Sequence, residues 1–230
     1  MNSIDKLHMV HRFWRYRLRT ERDPIKFLLK QDLTGATMLD IGANRGIYSY
    51  WMSKKAGEHG RVIAFEPQPE LGLFLTDLKK TFRLNNLIIE NKGLSDHSGT
   101  AYLFRTEAGS GQASFTEHDG LEKVAVEITT LDEYCESHSV PGISFIKCDV
   151  EDHEQHVFDG AKRVLRRYSP VLLFECNHDI AKAGELFSSL KELGYKGFFF
   201  FRGEKIDCSE FAKYPYRKPD KKRRDYIFHV

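Results

Sequence analysis

The chain alternates short, nearly continuous apolar runs with longer segments whose apolar residues recur every three or four positions. Apolar runs bounded by Gly, Pro, Asn or Asp read as buried strands, and the 3.6-residue period reads as helices lying against them. The first strand, Met38-Leu39-Asp40-Ile41, leads into a turn at Gly42–Gly46 and a helix over 45–56. Strand 61–66 follows, then a helix marked by Leu71, Phe74, Leu75, Leu78 and Phe82, then a strand at Leu87–Glu90. Further along come a short helix around 131–138, strand Ile143–Asp149, helix 153–167, strand Val171–Glu175, helix 179–193, strand 195–201 and a last strand Tyr226–Val230. Strands buried on both faces and separated by helices predict an α/β domain with a mostly parallel sheet covered on both sides. A short final connection would make the last strand antiparallel, because a parallel crossover needs a longer path.

Two stretches depart from this rhythm. Ile4, Leu7, Val10, Trp14 and Leu18 recur at helical spacing, so residues 1–34 are expected to form a helical cap packed on a domain spanning 35–230. Between about 99 and 130, Thr100–Phe104 and Val124–Ile128 alternate like strands around Gly109, Ser110 and Gly111, which predicts an antiparallel β insertion.

At 230 residues the chain fits one α/β domain with an extension. No apolar run approaches the roughly 20 residues of a membrane span, and the N-terminus lacks a secretory apolar core, so a cytoplasmic location is expected. Cys135, Cys148, Cys176 and Cys208 are scattered without a C-x-x-C pair, against a disulfide framework or a zinc site. The formal net charge of +2 hides basic ends: Arg12, Arg15, Arg17, Arg19, Arg22, Lys26 and Lys30 near the start, and Lys213, Arg217, Lys218, Lys221, Lys222, Arg223 and Arg224 near the finish. Such clusters attract anionic substrates or surfaces. No nucleic-acid module accompanies them, so a nucleic-acid partner is not expected.

The chemistry concentrates at the first strand's end. Glycines at 42 and 46 let the chain leave the strand sharply and approach a ligand closely. Glu66, 20 positions after Gly46 and at the end of the next strand, can accept hydrogen bonds from both hydroxyls of an adenosine ribose. A dinucleotide turn, G-x-G-x-x-G, would offer a second glycine to a pyrophosphate. Here Ala43, Asn44 and Arg45 separate Gly42 from Gly46, which disfavours a nicotinamide-dependent oxidoreductase. Asp40 beside the turn would repel a pyrophosphate and suit an ammonium, so S-adenosylmethionine is the expected cofactor.

The segments "MLDIGANRGIYS", "GRVIAFEPQP", "LSDHSG", "TTLDEY", "ISFIKCDVEDHE" and "PVLLFE", in this order over about 36–176, resemble the FkbM-type S-adenosylmethionine-dependent methyltransferases. That resemblance implies a Rossmann-like class I methyltransferase fold with a seven-stranded sheet. It also implies O-methylation of a hydroxyl on a carbohydrate or secondary metabolite. The expected cofactor-contacting set is Asp40, Gly42, Asn44, Gly46, Glu66, Pro67, Ser95, Asp96 and Asp149. Asp152 stands where that family usually has glycine after "DVE".

A hydroxyl is a poor nucleophile and needs a group to take its proton. Candidates follow the two central strands: Asp149, Glu151, Asp152, His153 and Glu154 after one, Glu175, Asn177 and His178 after the next. Asp149 and Glu151 are expected to orient the acceptor, with His153 or Glu175 as the base. Asp149, Glu175 and Asn177 could supply oxygen ligands to Mg²⁺ or Ca²⁺. Carboxylates also serve without metal, and no metal ligand is assigned. The competing reading is a catalytically idle interaction module that docks an anionic partner through its basic ends.

Overall fold

Thr37–Ile41 (β1) is buried at every position, as a strand at the centre of a two-faced sheet must be. It pairs in parallel with Arg61–Phe65 (β2) on one side and Ile143–Cys148 (β7) on the other. In this computed structural model, which describes residues 1–117, 119–177, 184–214 and 223–230, those strands centre an eight-stranded sheet. Leu87–Glu90 (β3) extends it beyond β2. On the other side Val171–Asn177 (β8) pairs in parallel with β7, and Arg223–His229 (β11) runs antiparallel between β8 and Lys196–Phe201 (β9). Glu204–Asp207 (β10) closes that edge as a short hairpin partner of β9, an eighth strand where seven were expected. Its polar, mostly exposed sequence carries no apolar run that would mark it.

Gly93–Leu94 (β4), Gly99–Arg105 (β5) and Glu122–Thr129 (β6) form a separate three-stranded sheet, the expected insertion. Helices Ile47–Ala56 (α3), Pro69–Phe82 (α4), Leu131–Ser137 (α5), Glu154–Asp159 (α6), Lys162–Tyr168 (α7) and Glu185–Glu192 (α8) link the strands. The helix expected over 153–167 is broken at Gly160, where a Cβ would meet the Ser95 carbonyl oxygen at 2.0 Å. The start of the helix expected over 179–193 lies outside the described residues.

The N-terminal segment is helical, as Ser3–Arg15 (α1), a π-helical turn at Tyr16–Thr20 and Arg22–Lys30 (α2). Asn2 starts α1 in a capping box, accepting from the Asp5 N–H at 2.8 Å. The packing face differs from the expected one. Met9, Phe13, Ile25 and Leu28 enter the core beside Met38, Trp51 and Met52, and Phe13 stacks on Tyr50 with ring centroids 3.9 Å apart. Ile4, Leu7, Trp14 and Leu18 face outward, 46–68% exposed, because α1 carries apolar residues on two faces and periodicity does not say which is covered. Among the described residues no helix is long and apolar enough to cross a membrane. All four cysteines are free and buried.

Candidate active site

The turn after β1 is built around glycines that no other residue replaces without movement. Gly42 has φ +72°, and a Cβ there would lie 1.9 Å from the Asp149 carbonyl oxygen. Gly46, also at φ +72°, caps the start of α3 against Leu75. Between them Asn44 adopts a left-handed φ of +49°. The Gly42 and Ala43 N–H groups both donate to the Phe65 carbonyl at 3.0 Å, tying the turn to the end of β2.

That tie brings Glu66 into place. Its carboxylate accepts from the Asn44 N–H at 2.8 Å and the Gln68 N–H at 3.0 Å. Glu66 is 4% exposed, and burial pushes its pKa up to about 7 against those two hydrogen bonds. Each carboxylate oxygen keeps a further lone pair for a ligand hydroxyl. Glu66 lines a cleft with Pro67, Leu94, Leu103 and Phe115, which set apolar surface beside its buried carboxylate. The insertion forms its outer wall and is pinned from below. Buried Arg105 pairs with Glu70 at 2.8 Å and Glu122 at 2.9 Å, and Gln68 Nε2 donates to the Ser110 carbonyl at 2.9 Å. The side chains named here fit an adenosine: one buried acid for the ribose and apolar surface for the base.

A second cleft adjoins the first. Gly42, Asn44, Gly111, Asp149 and Glu151 line both. Asp40, fully buried, accepts from Ser49 Oγ through Oδ2, while its Oδ1 has no hydrogen-bond partner in the wall of this second cleft. Burial pushes the Asp40 pKa up, opposed by Lys147 and Ser49. A buried carboxylate oxygen without a hydrogen-bond donor, its only cation Lys147 Nζ at 3.8 Å among the described residues, fits the expected ammonium. Sequence reasoning missed its neighbour: Lys147 Nζ lies 3.8 Å from Asp40 Oδ1 and 3.4 Å from Asp149 Oδ2, and donates to the Gly42 carbonyl at 3.3 Å. Burial alone would lower the Lys147 pKa, but Asp149 and Asp40 raise it above the ordinary lysine value.

The far wall of this cleft is a group of carboxyls. Glu175 is joined by two residues not predicted, Glu21 from the N-terminal segment and Asp225 from β11. Asp225 lies directly opposite Glu175 in the antiparallel register. A charged residue inside the last apolar strand was the available signal. Burial, then the charges of Glu175 and Asp149, raises Glu21 to about 7, and its side chain hydrogen-bonds Asp225, whose own pKa rises well above the ordinary value. Burial, then Asp149 and Asp225, raises Glu175 to about 8. Tyr48 donates toward Glu21 at 3.4 Å. Arg12 and Tyr16 complete the rim, and Arg12 Nε is buried without a hydrogen-bond partner.

Other expected residues go elsewhere. Ser95, Asp96 and His153 are absent from the described lining of both clefts. Ser95 Oγ bonds His153 Nε2 at 2.9 Å, and Asp96 pairs with His97 at 2.6 Å and His156 at 2.8 Å. His153 packs on Phe115 with the rings tilted by 44° and centroids 4.6 Å apart, and burial and the charge of His156 lower its pKa to about 4. The structure therefore turns the expected base candidate away from the cleft. Glu154 is buried and accepts from the Val150 N–H at 3.1 Å, supporting the loop rather than facing a ligand. His178 lies outside the described residues.

The loop after β7 is clamped from across the sheet. Glu151 and Asp152 both have left-handed backbones, φ +53° and +75°. Arg223 on β11 reaches Glu151 at 2.6 Å, Asp152 at 3.0 Å and Glu175 at 3.9 Å. Arg223 is thus engaged at the site, and Arg224 donates to the Phe211 and Tyr214 carbonyls, so neither is the unattached surface cation the sequence suggested. Arg217, Lys218, Lys221 and Lys222 fall outside the described residues. Among the described residues no group of three or more His, Cys, Asp or Glu is arranged to hold a metal ion.

The sequence model of the Methyltransferase FkbM domain matches residues 40–196. The chain belongs to that family. It is 33% identical over 172 residues to the hexuronic acid methyltransferase AglP of Haloferax volcanii, a match covering 71% of this chain and 66%, just under two thirds, of that protein. A methyltransferase FkbM from Methylobacillus flagellatus KT aligns with a TM-score of 0.60 at 14% identity, over 87% of this chain and 45% of the other. Aeropyrum pernix fibrillarin, solved with natively bound S-adenosyl-L-methionine, aligns at 0.52 and 15% identity, over 92% and 74%. These likenesses establish the class I methyltransferase fold. Within the FkbM frame, Asp152 occupies its left-handed position with its carboxylate on Arg223, so the departure from glycine is matched by a partner 71 residues away.

Proposed function

We propose that this protein transfers a methyl group from S-adenosylmethionine to a hydroxyl oxygen of a carbohydrate acceptor. The observation that carries the reading is the junction of a cleft at the buried Glu66 with a carboxyl-lined cleft at Glu175, sharing the wall Gly42, Asn44, Asp149 and Glu151. The likeness to a hexuronic acid methyltransferase supports a sugar acceptor.

When bound, the cofactor supplies an electrophilic methyl on a sulfonium. The protein's task is to line up the acceptor oxygen and take its proton, and alignment of two bound reactants provides much of the acceleration. As the acceptor oxygen attacks that methyl, its hydroxyl proton would pass to a carboxylate of the second cleft. Glu175 suits that role: it lines the acceptor side, and its pKa of about 8 makes its ionised form a stronger base than an ordinary carboxylate. Asp149 and Glu151 orient the acceptor from the shared wall, with Arg223 holding Glu151 in place. Glu66 holds the ribose and Asp40 the ammonium.

The test is transfer of labelled methyl to a panel of sugars, including uronic acids, by the full chain. Glu175→Gln is expected to lower turnover by at least about 100-fold with cofactor affinity retained, while His153→Gln stays within severalfold of the parent. Product methyl that resists mild alkali identifies an ether on a hydroxyl. Alkali-labile methyl would instead identify an ester on a carboxylate and remove the hydroxyl assignment. Absence of S-adenosylmethionine binding by calorimetry would overturn the reading and favour an interaction module.

A further inference from the structure

We infer that the outer face of α1 is a docking surface for an anionic lipid bilayer. Ile4, Leu7, Trp14 and Leu18 form one stripe, spaced by three, seven and four residues along α1 and the turn after it. Each is exposed by between 46% and 68%. The stripe lies opposite Met9 and Phe13, which bury the inner face. It runs for about 20 Å along the helix axis, at 1.5 Å per residue. An apolar stripe of this length on the outside of a helix that already has a covered face is not needed for the core.

Cations frame the stripe. Arg17 lies toward one side and Arg15 toward the other, by helical angle, and Lys6 lies further round, its ammonium 6.0 Å from the Phe82 ring. The Arg17 guanidinium sits 4.9 Å from the Trp14 ring and 4.6 Å from that of Trp51, which holds a positive charge at the edge of the stripe. Residues 1–30 hold eight Lys and Arg against three carboxylates. Of those three, Asp5 closes the N-cap and Glu21 is half-buried in the lining of the second cleft. A Trp-, Leu- and Ile-bearing face edged by Lys and Arg is the pattern of a helix that lies in a membrane interface, its apolar side chains among the acyl chains and its cations on anionic headgroups. A second copy of this helix would fit less well, because self-association would set these cations against their own copies. Arg12 and Tyr16 on the same segment line the second cleft from the opposite side of the helix, so docking sets that cleft about 10 Å, one helix diameter, behind the bilayer surface. The inference stands apart from the methyl-transfer reading, and its test uses no turnover.

The experiment is co-sedimentation of the full chain with vesicles of phosphatidylcholine alone and of phosphatidylcholine mixed with phosphatidylglycerol. Binding is expected to the mixed vesicles, to weaken with added salt, and to disappear in Ile4→Ser/Leu7→Ser. Lys6→Glu/Arg15→Glu is expected to weaken it by roughly fivefold or more per cation changed. In a Trp51→Phe chain, which leaves Trp14 as the only tryptophan, fluorescence is expected to shift to the blue on adding mixed vesicles. No binding to mixed vesicles, or binding unchanged in Ile4→Ser/Leu7→Ser, overturns the proposal. So does sedimentation as a dimer that the same serine substitutions dissociate, which would assign the stripe to a second copy. Calorimetry with S-adenosylmethionine on each variant reports separately on the cofactor cleft.

Discussion

Arg223 lies 3.0 Å from Asp152, and this contact joins β11 to a loop residue held at φ +75°. A non-glycine residue in the left-handed region costs on the order of 1 kcal/mol, and here an ion pair accompanies it. Arg223→Met should lower stability by about 1–3 kcal/mol and reduce methyl transfer more than cofactor affinity. Adding Asp152→Gly should recover part of the stability, because glycine relieves both the strained backbone and the unpaired carboxylate. Urea denaturation of the single and double variants measures the coupling; strict additivity would refute it.

Glu21 and Glu175 predict a pH dependence with a defined sign. Their ordinary pKa is 4.5, and the fold raises them to about 7 and about 8. Between these values the folded state holds protons that the unfolded chain has released. Their contribution is therefore fully present below about pH 4.5 and is lost as pH rises through 7–8. Melting temperature measured from pH 5 to 9 should fall across this window, and less steeply in Glu21→Gln.

The same pKa of Glu175 governs turnover. A base must be ionised, so the rate should rise with pH and level off above about 8. A profile that levels off near pH 4 to 5 would instead point to a carboxylate of ordinary acidity.

Glu66 meets two backbone N–H groups and is available to ribose hydroxyls as well. Glu66→Ala should weaken S-adenosylmethionine binding by at least about tenfold, given roughly 1.5–3 kcal/mol for a hydrogen bond to a charged group. Titration calorimetry reads the change directly, and a loss smaller than threefold would contradict this role.

Lys147 stands between the buried Asp40 and Asp149. Lys147→Met would leave Asp40 buried without its cation, at a cost of about 3–5 kcal/mol. Lys147→Met/Asp40→Asn should be more stable than the single variant in urea denaturation, since it removes the stranded charge.

The sequence by itself determined the strand–helix alternation, the Gly42–Gly46 turn, the acid at Glu66 and the antiparallel last strand. The first three rest on local chemistry, burial of continuous apolar runs and glycine's access to positive φ, and the last on the fold that the family resemblance implied. It also brought Asp149, Glu151 and Glu175 into view, because they follow apolar strands at the edge where such sheets bind ligands. Tertiary structure decided the rest. His153 sits one residue before α6, and only the packing of Ser95 and Phe115 turns it from the clefts. Glu21 and Asp225 are separated by about two hundred positions, yet antiparallel pairing and the N-terminal helices set both beside Glu175. Lys147 reads as an ordinary strand lysine until Asp40 and Asp149 are seen on either side of it. The two faces of α1 are both apolar in sequence, and docking on α3 covers only one. Periodicity reports where side chains project from their own element; which of them meet depends on chain segments far away in sequence.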